Sequence, residues 1–194
     1  MLIILLVIVW FYSGAISTSL VRVVKEPRGV TASDPFAYCK AVGTIDAPGG
    51  GYVGPKVPRE VARGLQGAFQ VPAGAPLQPF LENSFWRCMD SKVYACSVGA
   101  NLPCMAKANT SREPTEAIVK FCAANREVAG IPMVVTGRAT VYAWQCAGGQ
   151  PSILRESVKP DKRGFLSNIW YEISAPAAAA VAKPEPGDKP HSLR

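Results

Sequence analysis

The sequence contains a single histidine in 194 residues, and it is His191, close to the C-terminus. Without a second imidazole inside the folded region, no Ser-His-Asp triad, Cys-His pair or multi-histidine metal site can be built there. Six cysteines are present, but none are spaced C-x-x-C. The thioredoxin-type redox motif and the close pairs of zinc knuckles are therefore missing. No S-x-x-K occurs, and Ser91 and Lys92 are adjacent, which on a strand points them to opposite faces. The glycine run 49–51 leads into Tyr52, Val53 and Gly54 rather than into the Lys-Ser/Thr of a phosphate loop. Charged residues make up only 18% of the chain.

What is there is mostly apolar. Hydrophobic residues reach 48%, enough to fold most of the chain. Leu2 to Phe11 is an unbroken apolar run followed by small residues, with Ala15-Ile16-Ser17 as the best cleavage pattern. Residues 1–17 are expected to be a signal peptide or an N-terminal anchor. The absence of charge from Met1 to Val21 also suits an uncleaved span over 2–21, since about 20 apolar residues cross a bilayer. Residues 18–33 read as an extended lead-in. Residues 174–194 are rich in Ala, Pro and charge, cannot bury an apolar face, and are expected to be a disordered tail.

The folded unit expected from this is a single domain over 34–173. The chain carries a net charge of +7, but between 34 and 173 there are 15 basic and 11 acidic residues. The basic residues are scattered, apart from Lys159, Lys162 and Arg163 around a Pro160-Asp161 turn. This is an ordinary surface rather than a nucleic-acid footprint.

Periodicity predicts a helix over 58–69, with Val61, Leu65, Ala68 and Phe69 on one face and Pro58 in its first turn. A second helix is predicted over about 114–125, with Ala117, Ile118, Phe121 and Cys122 sharing a face. Phe85–Met89 and Lys92–Val98 read as a hairpin turning at Asp90-Ser91, where a glycine at Ser91 would be the stronger signal. Met133–Val135, Ala139–Cys146, Ser152–Val158 and Ile169–Ile173 read as strands of an antiparallel meander. The expected fold class is α+β: two helices packed on a small antiparallel sheet, stapled by up to three disulfides.

An even count of cysteines in a chain expected to be exported fits a disulfide framework built from Cys39, Cys88, Cys96, Cys104, Cys122 and Cys146. Cys88 and Cys96 lie on the two arms of the hairpin but not opposite each other, which disfavours a bond between them. The pairings expected are Cys104 with Cys122, Cys88 with Cys146, and Cys39 with Cys96.

Carboxylate pairs for hydrolysis could come from Glu82 and Asp90 or from Glu113 and Glu116. Their simpler roles are a turn residue and a helix start. The donor-rich loop of Lys107, Asn109, Thr110, Ser111 and Arg112, which Cys104 would tether, is the candidate binding loop. Trp86, Tyr94, Tyr142, Trp144, Trp170 and Tyr171 lie on expected strands. One or two on an outer face could form a binding patch. No cofactor and no metal are expected. The expected partner is an envelope protein or a small ligand, with membrane contact only through an uncleaved N-terminal segment.

The strings Asp34-Pro35-Phe36-Ala37-Tyr38-Cys39, Val42–Pro48, Trp86–Asp90, Val98–Cys104 and Val135–Thr140 resemble a group of uncharacterised exported bacterial proteins of unknown function. That resemblance implies export and one domain. Over the hairpin alone, Trp86–Tyr94 is similar to periplasmic lysozyme inhibitors of the membrane-bound C-type class, with Ser91 in place of their turn glycine. The function expected is therefore a non-enzymatic binding domain, periplasmic or secreted. A lysozyme-inhibitor-like protein and a carboxylate or Ser-Lys hydrolase are the alternatives.

Overall fold

The structure, a computed structural model, describes residues 31–99 and 101–176. The expected signal or anchor, most of the lead-in and most of the tail lie outside the described residues.

The fold is α+β, with three disulfides. Helix α1, Pro35–Val42, starts where the Asp34 carboxylate accepts a hydrogen bond from Ala37 N at 2.7 Å and Pro35 fills the first turn. Sequence periodicity did not expose it, because it is short and buries only Pro35, Tyr38 and Cys39. Helix α2, Arg59–Ala68, follows the predicted apolar face and buries Val61, Ala62 and Leu65. A short helix α3, Gln78–Glu82, leads into the hairpin of β1, Ser84–Met89, and β2, Lys92–Ser97. Asp90 and Ser91 form the turn, both at positive φ (52° and 64°), which is the mirror-image type that matches strand twist.

Helix α4, Glu116–Ala124, is capped by Thr115, whose hydroxyl accepts from Ile118 N. Residues 133–136 form a short helix α5, Met133–Thr136, and not the expected strand. Pro132 and Gly137 bracket it, and the edge of the next strand is already taken, since Ile131 N donates to Trp144 O at 2.8 Å. Strands β3, Tyr142–Ala147, and β4, Gln150–Glu156, form a separate two-stranded sheet. The last strand, β5, Tyr171–Ile173, follows a 3₁₀ turn over 167–169.

The expected meander is therefore corrected. β5 does not pair with β4; it crosses back to β2, giving the sheet order β1-β2-β5. The 160–166 turn closes on itself, with Asp161 N donating to Phe165 O at 2.8 Å. It is then tied to β1 through the Arg87–Asp161 ion pair, which delivers the chain to the free edge of the hairpin.

Side-chain alternation sorts the core. Trp86 and Cys88 on β1, Val93 and Ala95 on β2, and Ile173 on β5 face a first cluster with α1 and α2. The opposite face meets a second cluster, in which Cys96 packs with Cys104, Val141, Phe165, Leu166, Ile169 and Trp170. A third cluster gathers Ile118, Cys122, Ile131, Trp144 and Cys146 around α4 and β3.

The disulfides follow these clusters. They are Cys39–Cys88, Cys96–Cys104 and Cys122–Cys146. All six cysteines are paired and Cys88 is not bonded to Cys96, but none of the three expected pairings occurs. Cys39 with Cys96 fails because α1 lies on the Cys88 face and Cys96 points to the other. Cys88 with Cys146 fails because those strands belong to different sheets. Cys104 with Cys122 fails because 105–115 carries the chain from one cluster to the next.

Candidate binding groove

A groove of about 300 Å³ opens along the seam between the second and third clusters. Leu102, Val158, Leu166 and Ile169 line it from one side, and Ile131, Met133 and Tyr142 from the other. Tyr142 packs against both clusters and forms part of the wall between them. Thr136, Thr140, Ser157 and Asn168 add polar atoms. The volume is at the lower end of the range for small-molecule sites, which are also mostly apolar with a few polar groups.

One charge lines the groove, that of Arg138, and no carboxylate does. Its place is set by the end of α5, where Gly137 at φ 83° turns the chain outward and its N–H donates to Met133 O at 2.9 Å. Arg138 is exposed and makes no ion pair or hydrogen bond among the described residues. On the same helix Met133 is 59% exposed and Val134 87% exposed. The margin of the groove is thus apolar and open to solvent.

The five residues of the candidate loop do not converge on one point. Lys107 is held by Asp46 at 2.8 Å and by the Arg163 carbonyl at 2.7 Å, over the Phe165 ring. The Asn109 side chain accepts from Ser111 N, and the Ser111 hydroxyl accepts from Glu113 N, so both shape the loop itself. Thr110 is exposed. Arg112 alone reaches the groove wall, its guanidinium 5.4 Å from the centre of the Tyr142 ring. The loop is anchored there by its backbone, with Asn109 N donating to Ala139 O and Val141 N to Asn109 O.

Of the aromatics, Trp86, Trp144 and Trp170 are buried. Tyr94 donates to Glu172, and Tyr171 meets Phe69 edge-on. Tyr142 is the one in the groove. Sequence reasoning counted Arg138 only among scattered basic residues. The signal that could have marked it is the Pro132…Gly137 bracket, which encloses a short helix ending just before it.

Of the four carboxylates considered for hydrolysis, Glu113 is exposed and the other three are engaged separately. Asp90 pairs with Lys162, Glu116 with Lys120, and Glu82 accepts from Gln78. Lys92 pairs with Glu172, and Ser91 sits in the hairpin turn. Among the described residues no group of three His, Cys, Asp or Glu could hold a metal ion. No helix among them is long and apolar enough to cross a membrane.

A second polar feature lies behind the groove. Arg87 is fully buried, with its guanidinium 4.5 Å from the Phe165 ring and 4.3 Å from the Trp170 ring. Its ionic partner is Asp161, which also accepts from Arg163 N and Phe165 N. Burial opposes ionisation of Asp161, but the Arg87 hydrogen bond and those two backbone N–H groups outweigh it and hold the carboxyl below its usual range. Asp46 is likewise desolvated, yet Arg163 and Lys107 hold it low. Together Asp46, Asp90 and Asp161 pin the 161–163 turn to the α1–α2 connection and the hairpin.

Comparison with protein-family models, with curated proteins and with solved structures gives no match.

Proposed function

We propose that this chain is a disulfide-stapled binding protein of an oxidising extracytoplasmic compartment, periplasmic or secreted, and that it works by holding a ligand in the seam groove rather than by catalysis. Three disulfides are compatible with such a compartment. The observation that carries the reading is the groove itself. Apolar side chains from two clusters line it, with Tyr142 as the wall that they share. Asp46, Asp90 and Asp161 are tied into ion pairs that fix loops, which suits a scaffold.

The test uses a neutral apolar dye, N-phenyl-1-naphthylamine, with the oxidised protein. Ser157 is exposed on the groove lining, so Ser157→Trp should fill the groove without disturbing the core. Saturable dye fluorescence in the wild type and its loss in Ser157→Trp are the expected result. Equal fluorescence from both proteins, or none from the wild type, would overturn the reading.

A further inference from the structure

Resting on that reading, we infer that the groove selects a single-chain amphiphile with one anionic head, the apolar chain lying on Leu102, Met133, Tyr142 and Val158 and the head meeting Arg138.

The first argument is charge. Arg138 lines the groove and, like the other exposed arginines among the described residues, has no carboxylate partner, so its guanidinium is available to a ligand, whereas Arg87 and Arg163 are held by Asp161 and Asp46. The lining also lacks any acidic side chain that would repel an anion. A guanidinium with its five donors free is matched best by a carboxylate or similar oxyanion. Arg112, over the Tyr142 ring, brings a second positive charge to the same wall.

The second argument is the backbone. A peptide laid in a groove gains affinity from main-chain hydrogen bonds to an open strand edge. Here the neighbouring main chain is already paired. Val141 N donates to Asn109 O, and Val141 O accepts from both Ser157 N and Val158 N. Tyr142 N donates to the Thr140 hydroxyl, and Ile131 N to Trp144 O. What remains is apolar side-chain surface, the few polar side chains of Thr136, Thr140, Ser157 and Asn168, and one cation. That combination suits a chain with few hydrogen-bonding groups and a single charged end.

The probes are octanoate, octan-1-ol, octylammonium and tri-leucine, titrated into the oxidised protein and followed by methyl NMR at Ile131, Met133, Val158 and Leu166. Octanoate is expected to shift these resonances with an affinity about tenfold above octan-1-ol, the size of one charge-assisted contact. Octylammonium is expected to be the weakest. Arg138→Gln should remove the tenfold preference and leave octan-1-ol binding unchanged, while Arg138→Lys keeps part of it. Arg138 is exposed, so unchanged near-UV circular dichroism should show the variants folded. Equal binding of octanoate and octan-1-ol in the wild type overturns the inference but leaves the groove reading standing. Tighter binding of tri-leucine than of octanoate overturns it in favour of a peptide. If none of the four probes, nor the neutral dye, shifts the groove residues, the groove reading itself has failed.

Discussion

The first and third clusters use the same parts to different ends. In the first, α1 and α2 cover one face of a three-stranded sheet, and Tyr38, Tyr52 and Trp86 meet edge-to-face with ring centres 4.7–6.0 Å apart. Val61, Ala62 and Leu65 have no exposed surface. Burial is deep enough there to push the Tyr52 hydroxyl up to about 12, with Glu60 and Asp34 adding to the effect. In the third, α4 packs on a two-stranded sheet. There Val119, Met133, Val134 and Leu154 stay exposed. Each region has one disulfide to its sheet, Cys39–Cys88 and Cys122–Cys146. The difference therefore lies in the layers and not in the staples. The third region has a smaller sheet and less helix to cover its apolar side chains, and the groove forms where it meets the second cluster.

The largest effect should come from the link between the regions. Asp161 sits in the connection that returns from β4, and Arg87 on β1 is fully buried. Asp161→Asn leaves that guanidinium uncompensated and should cost about 3–5 kcal/mol in urea unfolding. Arg87→Met combined with Asp161→Asn should cost far less than the sum of the two single changes, since the two rings can pack on a methionine. The pH dependence has a definite sign. A carboxyl held below its ordinary value of 3.8 contributes stability that is present above that value and lost as pH falls through the folded-state value. Acid unfolding of the wild type should therefore steepen below about pH 4. Asp161→Asn should flatten that limb, leaving mainly the share from Asp46.

Next come the staples. Chain entropy gives about 4 kcal/mol for removing the bond between Cys39 and Cys88 and about 3.5 kcal/mol for Cys122 and Cys146. The closed loops span 49 and 24 residues. The shorter loop of Cys96–Cys104, with a separation of 8, gives about 2.5 kcal/mol. Paired Cys→Ala variants test these values by denaturant unfolding. Hydrogen exchange sharpens the comparison: loss of Cys122–Cys146 should expose the amides of 142–156 while 84–97 stays protected. Simultaneous loss in both segments would show that the clusters open together.

Local signals in the sequence found α2, α4 and the hairpin, because each is written in a stretch of contiguous residues. The 3.6-residue period marks the buried faces of both helices, and Asp90-Ser91 marks the turn. The pairing of β5 with β2 was not legible, since it joins residues 93–95 to 171–173 across most of the domain and no periodicity records a partner that distant. The disulfide partners failed for the same reason. Alternation along β1 and β2 does place Cys88 and Cys96 on opposite faces, but choosing their partners required knowing that α1 exists and which face it covers. Of the site, only Tyr142 and Arg112 were singled out from sequence. The groove is a gap between two clusters, and a gap has no sequence signature.

A smaller effect tests the better-packed region. Ser91 holds φ 64°, a conformation costly for any residue with a Cβ. Its N–H donates to Gly43 O at 2.8 Å, and Asp90 N donates to the Thr44 hydroxyl, so the turn is braced from the end of α1. Ser91→Gly keeps both backbone bonds and should raise stability by about 0.5–1 kcal/mol, read as a higher midpoint with an unchanged denaturant slope. A loss would mean that the brace, and not the turn residue, sets the hairpin.

The smallest expected effect belongs to the open region. Val134 is 87% exposed on α5, beside the groove. If its side chain contributed to folding, removing it would cost as much as a half-buried valine. The geometry gives it almost no buried surface to lose, so Val134→Ser should change stability by no more than about 0.5 kcal/mol. The same substitution takes an exposed apolar group from the helix whose Met133 and Thr136 line the groove. A change in dye or octanoate affinity without a change in unfolding midpoint would place Val134 with the ligand surface; a fall in midpoint would place it with the core, and the line between the two regions would have to be redrawn through α5.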